Sequence, residues 1–270
     1  MSAIESAFSD LHRFERLAAQ DSAVHRLDPR VKLLITLAFL VCVVSFDKYA
    51  IAGLLPFALF LTLVIGMSGI PSGFVLNRLL LAAPLALLIG IFNPVYDHQP
   101  LMQLGGLAIA GGWISLLSLV LRLCLTVGAV LVLIASTGFN VVCMALKQMG
   151  MPAVLAMQLL LLYRYLFVLI EEGLRLNRAR ALRSFQGRGL GIRAFGSLLG
   201  SLLLRTLDRS QRIHLAMRCR GFDGVIRTHN PQRLNGRDVL ILAVVLGALI
   251  AMRFFDGPML LGRFIIGLAA

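Results

Sequence analysis

The sequence predicts an all-α, polytopic integral membrane protein with about five transmembrane helices and long cytoplasmic helices. Hydrophobic residues make up 59% of its 270 residues, charged residues only 14%, and the mean hydropathy is +0.87. A soluble protein of this length needs charged residues at about a quarter of its positions to cover its surface. The hydrophobic residues also fall in long blocks, many of them near the length of about twenty residues that a helix needs to cross a bilayer. Together these observations exclude an ordinary soluble enzyme and a disordered chain.

The N-terminal segment, residues 1–27, is polar and is predicted to contain one amphipathic helix over residues 4–18. Ser2 and Glu5 have the spacing of a capping box, and apolar residues recur at helical spacing after them. No apolar core follows Met1, so we expect no cleavable signal peptide. The helix is expected to lie on the cytoplasmic membrane surface or to pack on the protein itself.

Residues 28–135 form a predicted membrane domain of four spans. The spans cover residues 31–46, 50–67, 79–92 and 113–135. A Ser/Gly/Pro stretch at 68–73 closes the second span, Asn93 and Pro94 end the third, and only Arg122 interrupts the fourth. A fifth span is predicted over 239–252 within a C-terminal transmembrane segment, 238–270, whose end at 258–270 has no assigned role.

Positive charges between the apolar blocks predict which side of the membrane each loop faces. Five lie before the first span or at its start, the fifth being Lys32, and residues 171–237 contain fourteen arginines against four acids, whereas residues 93–112 contain no lysine or arginine. The positive-inside rule therefore places both the N-terminus and the arginine-rich stretch in the cytoplasm.

A further apolar block, residues 153–170, conflicts with that topology, because five crossings before residue 171 would place it outside. The block contains Arg164 and continues without a breaker into Glu171 and Glu172. We therefore expect a long tilted helix over about 153–184 that leaves the membrane on the side where it entered. The alternative is a re-entrant hairpin within 101–112, whose glycines would allow one.

Residues 136–237 are predicted to form a cytoplasmic domain of long amphipathic helices. A glycine-rich break at 187–191 ends the first helix, and a second helix runs over 194–220. Both helices finish in an arginine followed by a small residue: Arg183-Ser184 and Arg220-Gly221. An arginine at a helix C-terminus is stabilised by the helix dipole, and it can pair with a carboxylate of a partner. The other arginines of this domain can bind anionic lipid headgroups.

Motifs for chemistry within this chain are absent from the sequence. It has no GxxxxGK[ST] motif for ATP, no HExxH motif, and no pair of histidines or cysteines at metal-ligand spacing. We therefore expect no enzyme activity, no cofactor, no metal site and no nucleic-acid partner. Arg122 and Arg164 interrupt apolar blocks and need either a partner subunit or internal pairing with backbone carbonyls.

Several stretches resemble, in chain order, the transmembrane (T) component of energy-coupling factor transporters, which are ABC-type importers. The matching stretches are HRLDPRVKLL at 25–34, FNP at 92–94, MGMP at 149–152 and YRY at 163–165. The two short Ala-Arg-Gly/Ser signatures of the family resemble 181–184 and 217–222, with Leu182 and Cys219 in place of the usual alanine. The run 182–189 is similar to the cobalt-type, CbiQ-like branch rather than to the EcfT branch that serves shared vitamin modules.

This resemblance implies a scaffold in the plasma (inner) membrane that couples two cytoplasmic ABC ATPase subunits to a substrate-binding membrane (S) subunit. The implied ATPase-coupling residues are Arg183, Ser184, Arg220 and Gly221, and Arg122 and Arg164 are candidate subunit contacts. The implied cargo is cobalt, or nickel, with its ligands on the S subunit; a vitamin is the alternative, and the stoichiometry stays open. A stand-alone secondary transporter, the alternative of another class, would need acidic residues at mid-membrane, and the five predicted spans contain none.

Overall fold

The structure, a computed structural model, describes residues 13–22, 24–47, 49–92, 100–104, 107–183, 192–224 and 235–254. Most of these residues are helical, so the predicted all-α class is confirmed. The helices are α1 (Pro29–Val44), α2 (Ile51–Ser68), α3 (Ser72–Gly90), α4 (Gly111–Thr137), α5 (Phe139–Gln148), α6 (Ala153–Arg183), α7 (Ile192–Cys219) and α8 (Gly236–Phe254). A short helical segment at 13–18 precedes them and lies within the predicted N-terminal helix.

Four helices in the described part of the chain are long and apolar enough to cross a membrane: α2, α3, α4 and α6. The first predicted span corresponds to α1, which has only 16 residues. The last corresponds to α8, which contains Arg237, Asp238 and Arg253. In contrast, α6 is long and apolar enough to cross a membrane, although the charge pattern predicts that it enters and leaves the membrane on the same side. The number of crossings and their direction stay predictions.

The glycine-containing segment before α4 forms a small antiparallel sheet. Strand β1 (Pro100–Leu104) pairs with β2 (Leu107–Ala110), with an irregular register between Pro100 and Met102. An open two-stranded sheet has edges whose unpaired N–H and C=O groups are costly in hydrocarbon. This segment therefore fits a solvated connection better than the alternative of a re-entrant hairpin.

The chain divides into two compact units, residues 1–15 with 139–231, and residues 16–138 with 232–270. The predicted division into segments 1–27, 28–135, 136–237 and 238–270 follows membrane sides and stays a prediction. Within the second unit α4 packs against α1, α2 and α3. Its buried face contains small side chains, among them Ser115, Ser118, Ala129 and Ala135. Small residues let helix backbones approach closely in membranes, where apolar burial contributes little to helix association.

Aromatic side chains fill the contact between α1 and α2. The ring of Phe57 lies edge-on to Phe39 and Phe46, with centroids 5.7 and 5.5 Å away. The centroid of the Phe46 ring also lies 4.3 Å from Cζ of Arg253. A Cβ added at Gly53 would lie 2.6 Å from Cε1 of Phe46. Glycine at this position therefore keeps the Phe46 ring in place.

Replacing Gly53 with alanine is expected to destabilise the protein by about 1–3 kcal/mol, because the Phe46 ring must shift and its contacts with Phe57 and Arg253 are disturbed. Gly66 lies in the same helix, and an added Cβ there meets nothing within 4 Å. Gly66→Ala is thus the matched control, expected to be neutral or stabilising by up to about 1 kcal/mol. The stability of both variants is measured by heating them in detergent and finding the temperature at which half of the protein is lost from the monodisperse size-exclusion peak. Equal temperatures for the two variants would contradict this packing.

Candidate functional site at the ends of two long helices

A tight corner leads from α5 into the long helix α6. At the end of α5, Gly150 N donates to Lys147 O and Met151 N donates to Leu146 O, at 3.2 and 3.1 Å. Gly150 has a φ of +109°, a conformation that other residues rarely adopt. These two bonds are those of a Schellman cap, and Pro152 follows directly. The MGMP stretch at 149–152 therefore ends α5 and leads directly into the beginning of α6.

Aromatic stacking holds α5 against α6. Tyr163 of α6 stacks on Phe139 of α5, with ring centroids 4.8 Å apart, and Phe167 lies edge-on to the same tyrosine at 5.1 Å. The Tyr163 hydroxyl donates a hydrogen bond to Glu15 at 3.3 Å. The YRY motif thus contributes a packing residue at its first position. Arg164, the next residue, is exposed.

An ion pair connects the two long helices near their middles. Arg205 Nη1 of α7 lies 2.7 Å from Glu172 Oε1 of α6, and the Glu172 side chain is only 27% exposed. Glu171 pairs within its own helix with Arg175, one turn later, at 3.7 Å. The two acids nearest in sequence to Arg164 are therefore paired with other arginines.

The C-terminus of α7 is closed by a complete Schellman cap. Gly221 N donates to Arg218 O and Phe222 N donates to Met217 O, at 3.0 and 3.1 Å. Gly221 is in the left-handed region, with a φ of +75°. This geometry explains the small residue after Arg220, because a side chain would strain the backbone there.

Arg220 itself is the C-cap residue and is exposed. The backbone cap already satisfies two of the last carbonyls, and no described residue accepts a hydrogen bond from the Arg220 guanidinium. Its donors therefore face solvent, where a partner carboxylate can reach them. Arg183 is the last residue of α6, and Ser184 lies outside the described residues. The coupling role of these four residues stays a prediction.

The surface of α7 combines an apolar row with basic residues. The row repeats every fourth position, and its members are between 46% and 60% exposed: Phe195, Leu199, Leu203 and Leu207. Arg209, Arg212 and Arg218 are also exposed on this helix. An apolar row of this length on a basic helix is typical of a surface that contacts lipid or another helix.

Arg122 is paired inside the membrane unit. Its Nη2 donates to the backbone carbonyl of Asp47, while its buried Nε has no partner among the described residues. Of the two alternatives for Arg122, pairing with a backbone carbonyl of this chain is thus observed. Its contact with a second subunit stays a prediction. Arg253 behaves in the same way, because its Nη2 donates to Ser45 O at 3.0 Å.

Lys32 is a residue whose role the sequence analysis missed. Its buried ammonium donates to the carbonyls of Ser136 and His25, at 3.0 and 3.2 Å. The sequence counts Lys32 only as a flanking positive charge, although its place between Val31 and Leu33 in an apolar run signals burial. The stretch 25–34 is therefore a structural junction before α1.

The same junction contains one helix cap and one bridging histidine. Asp28 is the N-cap of α1, and its Oδ1 accepts a hydrogen bond from Arg30 N at 2.9 Å. The His25 ring lies between Ser22 Oγ at 2.7 Å and Leu17 O at 3.1 Å. No group of three or more His, Cys, Asp or Glu residues that could hold a metal ion is found within the described ranges.

Comparison with known proteins gives a family and several relatives. A family model described as cobalt transport protein, CbiQ, matches residues 20–232. The cobalt transport protein CbiQ of Salmonella typhimurium is 27% identical over 149 residues, which are 51% of this chain and 66% of that relative. Two energy-coupling factor transporter transmembrane proteins, EcfT, match over more of their length. The protein of Bacillus subtilis is 25% identical, and the match covers 85% of this chain and 93% of that relative. The protein of Thermosediminibacter oceani is 26% identical, and the match covers 91% of this chain and 95% of that relative.

Replacing Gly221 with alanine is expected to open the end of α7, at a cost of about 1 kcal/mol or more, because alanine is strained at a positive φ. Amide hydrogen exchange at residues 217–224 should rise. Gly221→Asn should change the exchange less, since asparagine tolerates this region. Gly200→Ala is the matched control within α7, where an added Cβ meets nothing within 4 Å. Unchanged exchange in Gly221→Ala would contradict the proposed role of the cap.

Proposed function

Because the chain belongs to the CbiQ family of cobalt transport proteins, we propose that it is the membrane subunit that couples ATP hydrolysis to import in an energy-coupling factor transporter. The two EcfT relatives, which match most of the chain, support this class. In this role the chain has no enzyme activity of its own. Two cytoplasmic ABC ATPase subunits supply the energy, and a separate membrane subunit binds the substrate.

The observation that carries this proposal is the pair of long helices with arginines at their ends. α6 ends at Arg183, and the capped end of α7 presents Arg220 to solvent. Guanidinium groups pair with carboxylates in a bidentate geometry, so these two ends fit acidic grooves on the two ATPase subunits. A movement of either ATPase then moves a helix end.

The ion pair between the long helices supports transmission of that movement. Glu172 and Arg205 lie far from the helix ends, so they connect α6 to α7 at a distance from the proposed ATPase contacts. A long continuous helix moves as a rigid body, and a connection between two such helices makes them move together. We propose that Glu172 and Arg205 are positioning residues, which act through the orientation of α6 and α7.

The exposed apolar residues of α6 support a contact with the substrate-binding subunit. Val154, Leu155 and Leu162 are 60%, 48% and 61% exposed. A membrane partner can slide along such a surface, because van der Waals contacts between apolar helices have no fixed register. The substrate-binding subunit would hold the cargo, and this chain would change its orientation.

Cobalt, or nickel, is the proposed cargo. It rests on the description of the family model and on the name of the Salmonella relative. A vitamin is the second candidate, because the EcfT relatives cover more of this chain than the CbiQ relative does. Uptake of radioactive cobalt by cells that contain the whole complex, compared with uptake of riboflavin, distinguishes the two.

Charge reversal of both helix ends, Arg183→Glu with Arg220→Glu, is expected to abolish co-purification of the ATPase subunits. The carboxylates would then repel the acidic grooves, while the protein stays in the membrane. Affinity purification of the tagged chain from solubilised membranes, followed by quantification of bound ATPase, measures this.

The matched control is Arg209→Glu with Arg212→Glu, which makes the same change in charge at two exposed positions of α7. This variant should retain the ATPase subunits. If the end variant also retains them, the coupling assignment is wrong. If both variants lose them equally, binding depends on total charge and not on the helix ends.

Reversing one partner of the ion pair between the long helices, as Glu172→Arg, is expected to reduce uptake because it places two cations in contact. Stability should change by no more than about 1 kcal/mol, since Arg205 is largely exposed. The swap Glu172→Arg with Arg205→Glu restores the attraction and should restore uptake. Glu171→Arg, which breaks only a pair within α6, is the control. If uptake by the swapped variant is no higher than uptake by Glu172→Arg alone, the positioning role is refuted.

A further inference from the structure

A pocket of about 580 Å³ lies within the unit formed by residues 16–138 and 232–270. Its lining includes the apolar residues Leu27, Met67 and Ile241, called the apolar wall below, and the charged residues Arg26, Arg237 and Asp238, called the rim. Pockets of a few hundred Å³ that combine an apolar wall with a few polar groups are typical ligand sites. None of the functions described above uses this pocket.

The pocket lies where three helices of this unit begin or end. Leu27 comes two residues before α1, Met67 is in the last turn of α2, and Arg237 is in the first turn of α8. Because α2 has the length and hydropathy of a membrane span, we expect its end to lie at the level of the lipid headgroups. This placement does not depend on which side of the membrane faces the cytoplasm.

The cations on the rim have donors available for a phosphate. Arg26 binds Asp21 through Nε and Nη2, each at 2.8 Å; this pairing lowers the pKa of Asp21 and raises that of Arg26. Nη1 of Arg26 is not part of the pair. The guanidinium of Arg237 makes no hydrogen bond or ion pair with any described residue. Guanidinium groups form strong, charge-assisted hydrogen bonds with phosphate oxygens.

The acids beside these arginines select the kind of headgroup. Asp238 lines the pocket beside Arg237, and Asp21, which does not line it, is paired with Arg26. These two acids balance the formal charges of the two arginines, so the pocket offers no excess of positive charge to an anionic ligand. A zwitterion places its phosphate against the guanidinium groups and its ammonium against the Asp238 carboxylate. A small water-soluble phosphate gains nothing from the apolar wall, whereas the first carbons of an acyl chain are stabilised by contact with it.

From this combination we propose that the pocket binds one zwitterionic membrane phospholipid of the phosphatidylethanolamine type. Its phosphate lies at Arg26 and Arg237, its ammonium at Asp238, and its first acyl carbons along Leu27, Met67 and Ile241. The bound lipid connects the end of α2 to the beginning of α8. This site is independent of the proposed function.

Native mass spectrometry of the full chain in detergent tests the site with three probes: dioctanoyl phosphatidylethanolamine, dioctanoyl phosphatidylglycerol and phosphoethanolamine. The first should bind most tightly, the second more weakly, and the third, which has no acyl chain, not detectably. Binding of phosphoethanolamine as tight as that of the lipid would identify a free phosphate site and overturn the proposal. Equal or tighter binding of phosphatidylglycerol would overturn the choice of a zwitterion.

Two variants test the two sides of the pocket. Arg237→Gln should weaken binding of the phosphatidylethanolamine about fivefold through loss of one cation at the headgroup, and Ile241→Ser should weaken it by a similar factor of about five through loss of apolar contact. Arg209→Gln removes the same charge from α7 and should bind like the unmodified chain. The proposal is wrong if either pocket variant binds like this control.

Hydrogen exchange of the unmodified chain provides a test that needs no variant. Adding dioctanoyl phosphatidylethanolamine should slow exchange at residues 235–241 and leave residues 217–224 unchanged. No protection at 235–241 would overturn the proposal even if lipid adducts are seen, because the adducts would then come from another surface.

Discussion

The buried ammonium of Lys32 fixes the membrane unit at the point where three parts of the chain meet. A charge buried among apolar side chains is costly unless it has hydrogen-bond partners. The last turn of a helix has carbonyls without intrahelical donors, and Ser136 provides one of these for Lys32. The His25 carbonyl provides the second. One side chain thus holds the segment before α1 and the end of α4 together, directly before Gly138, where the chain leaves this unit.

Glycines with positive φ determine where the helices beyond that point stop. Gly150 and Gly221 close α5 and α7 with the same pair of backbone hydrogen bonds. In both cases the backbone satisfies carbonyls that a basic side chain would otherwise bind. At the end of α7, the guanidinium of Arg220 is therefore not needed to cap its own helix. The small residue and the arginine of the signature therefore have separate tasks, one in the backbone and one at the surface.

Local features of the sequence predicted most of the helices, although not α5, and family membership confirms the resemblance read from the motifs. The C-terminus of α7 could be predicted because the glycine at 221 is a local signal for a helix end. The partners of Lys32 and Arg122 could not, since Ser136 and Asp47 are 104 and 75 residues away. The start of α3 at Ser72, rather than at residue 79, was missed because its first turns contain polar residues that a search for apolar blocks excludes.

The arginines of this protein differ in function because of the acceptors within their reach. Arg122 and Arg253 lie beside the turn after α1, where the carbonyls of Asp47 and Ser45 accept hydrogen bonds from their guanidinium groups. On α7 the backbone carbonyls are used by the helix and its cap, so the exposed arginines have only solvent or another side chain to bind. Arg205 finds Glu172, whereas Arg220 has no acceptor among the described residues. A positive charge on a capped helix without an internal acceptor is therefore a better indicator of a partner surface than the count of positive charges.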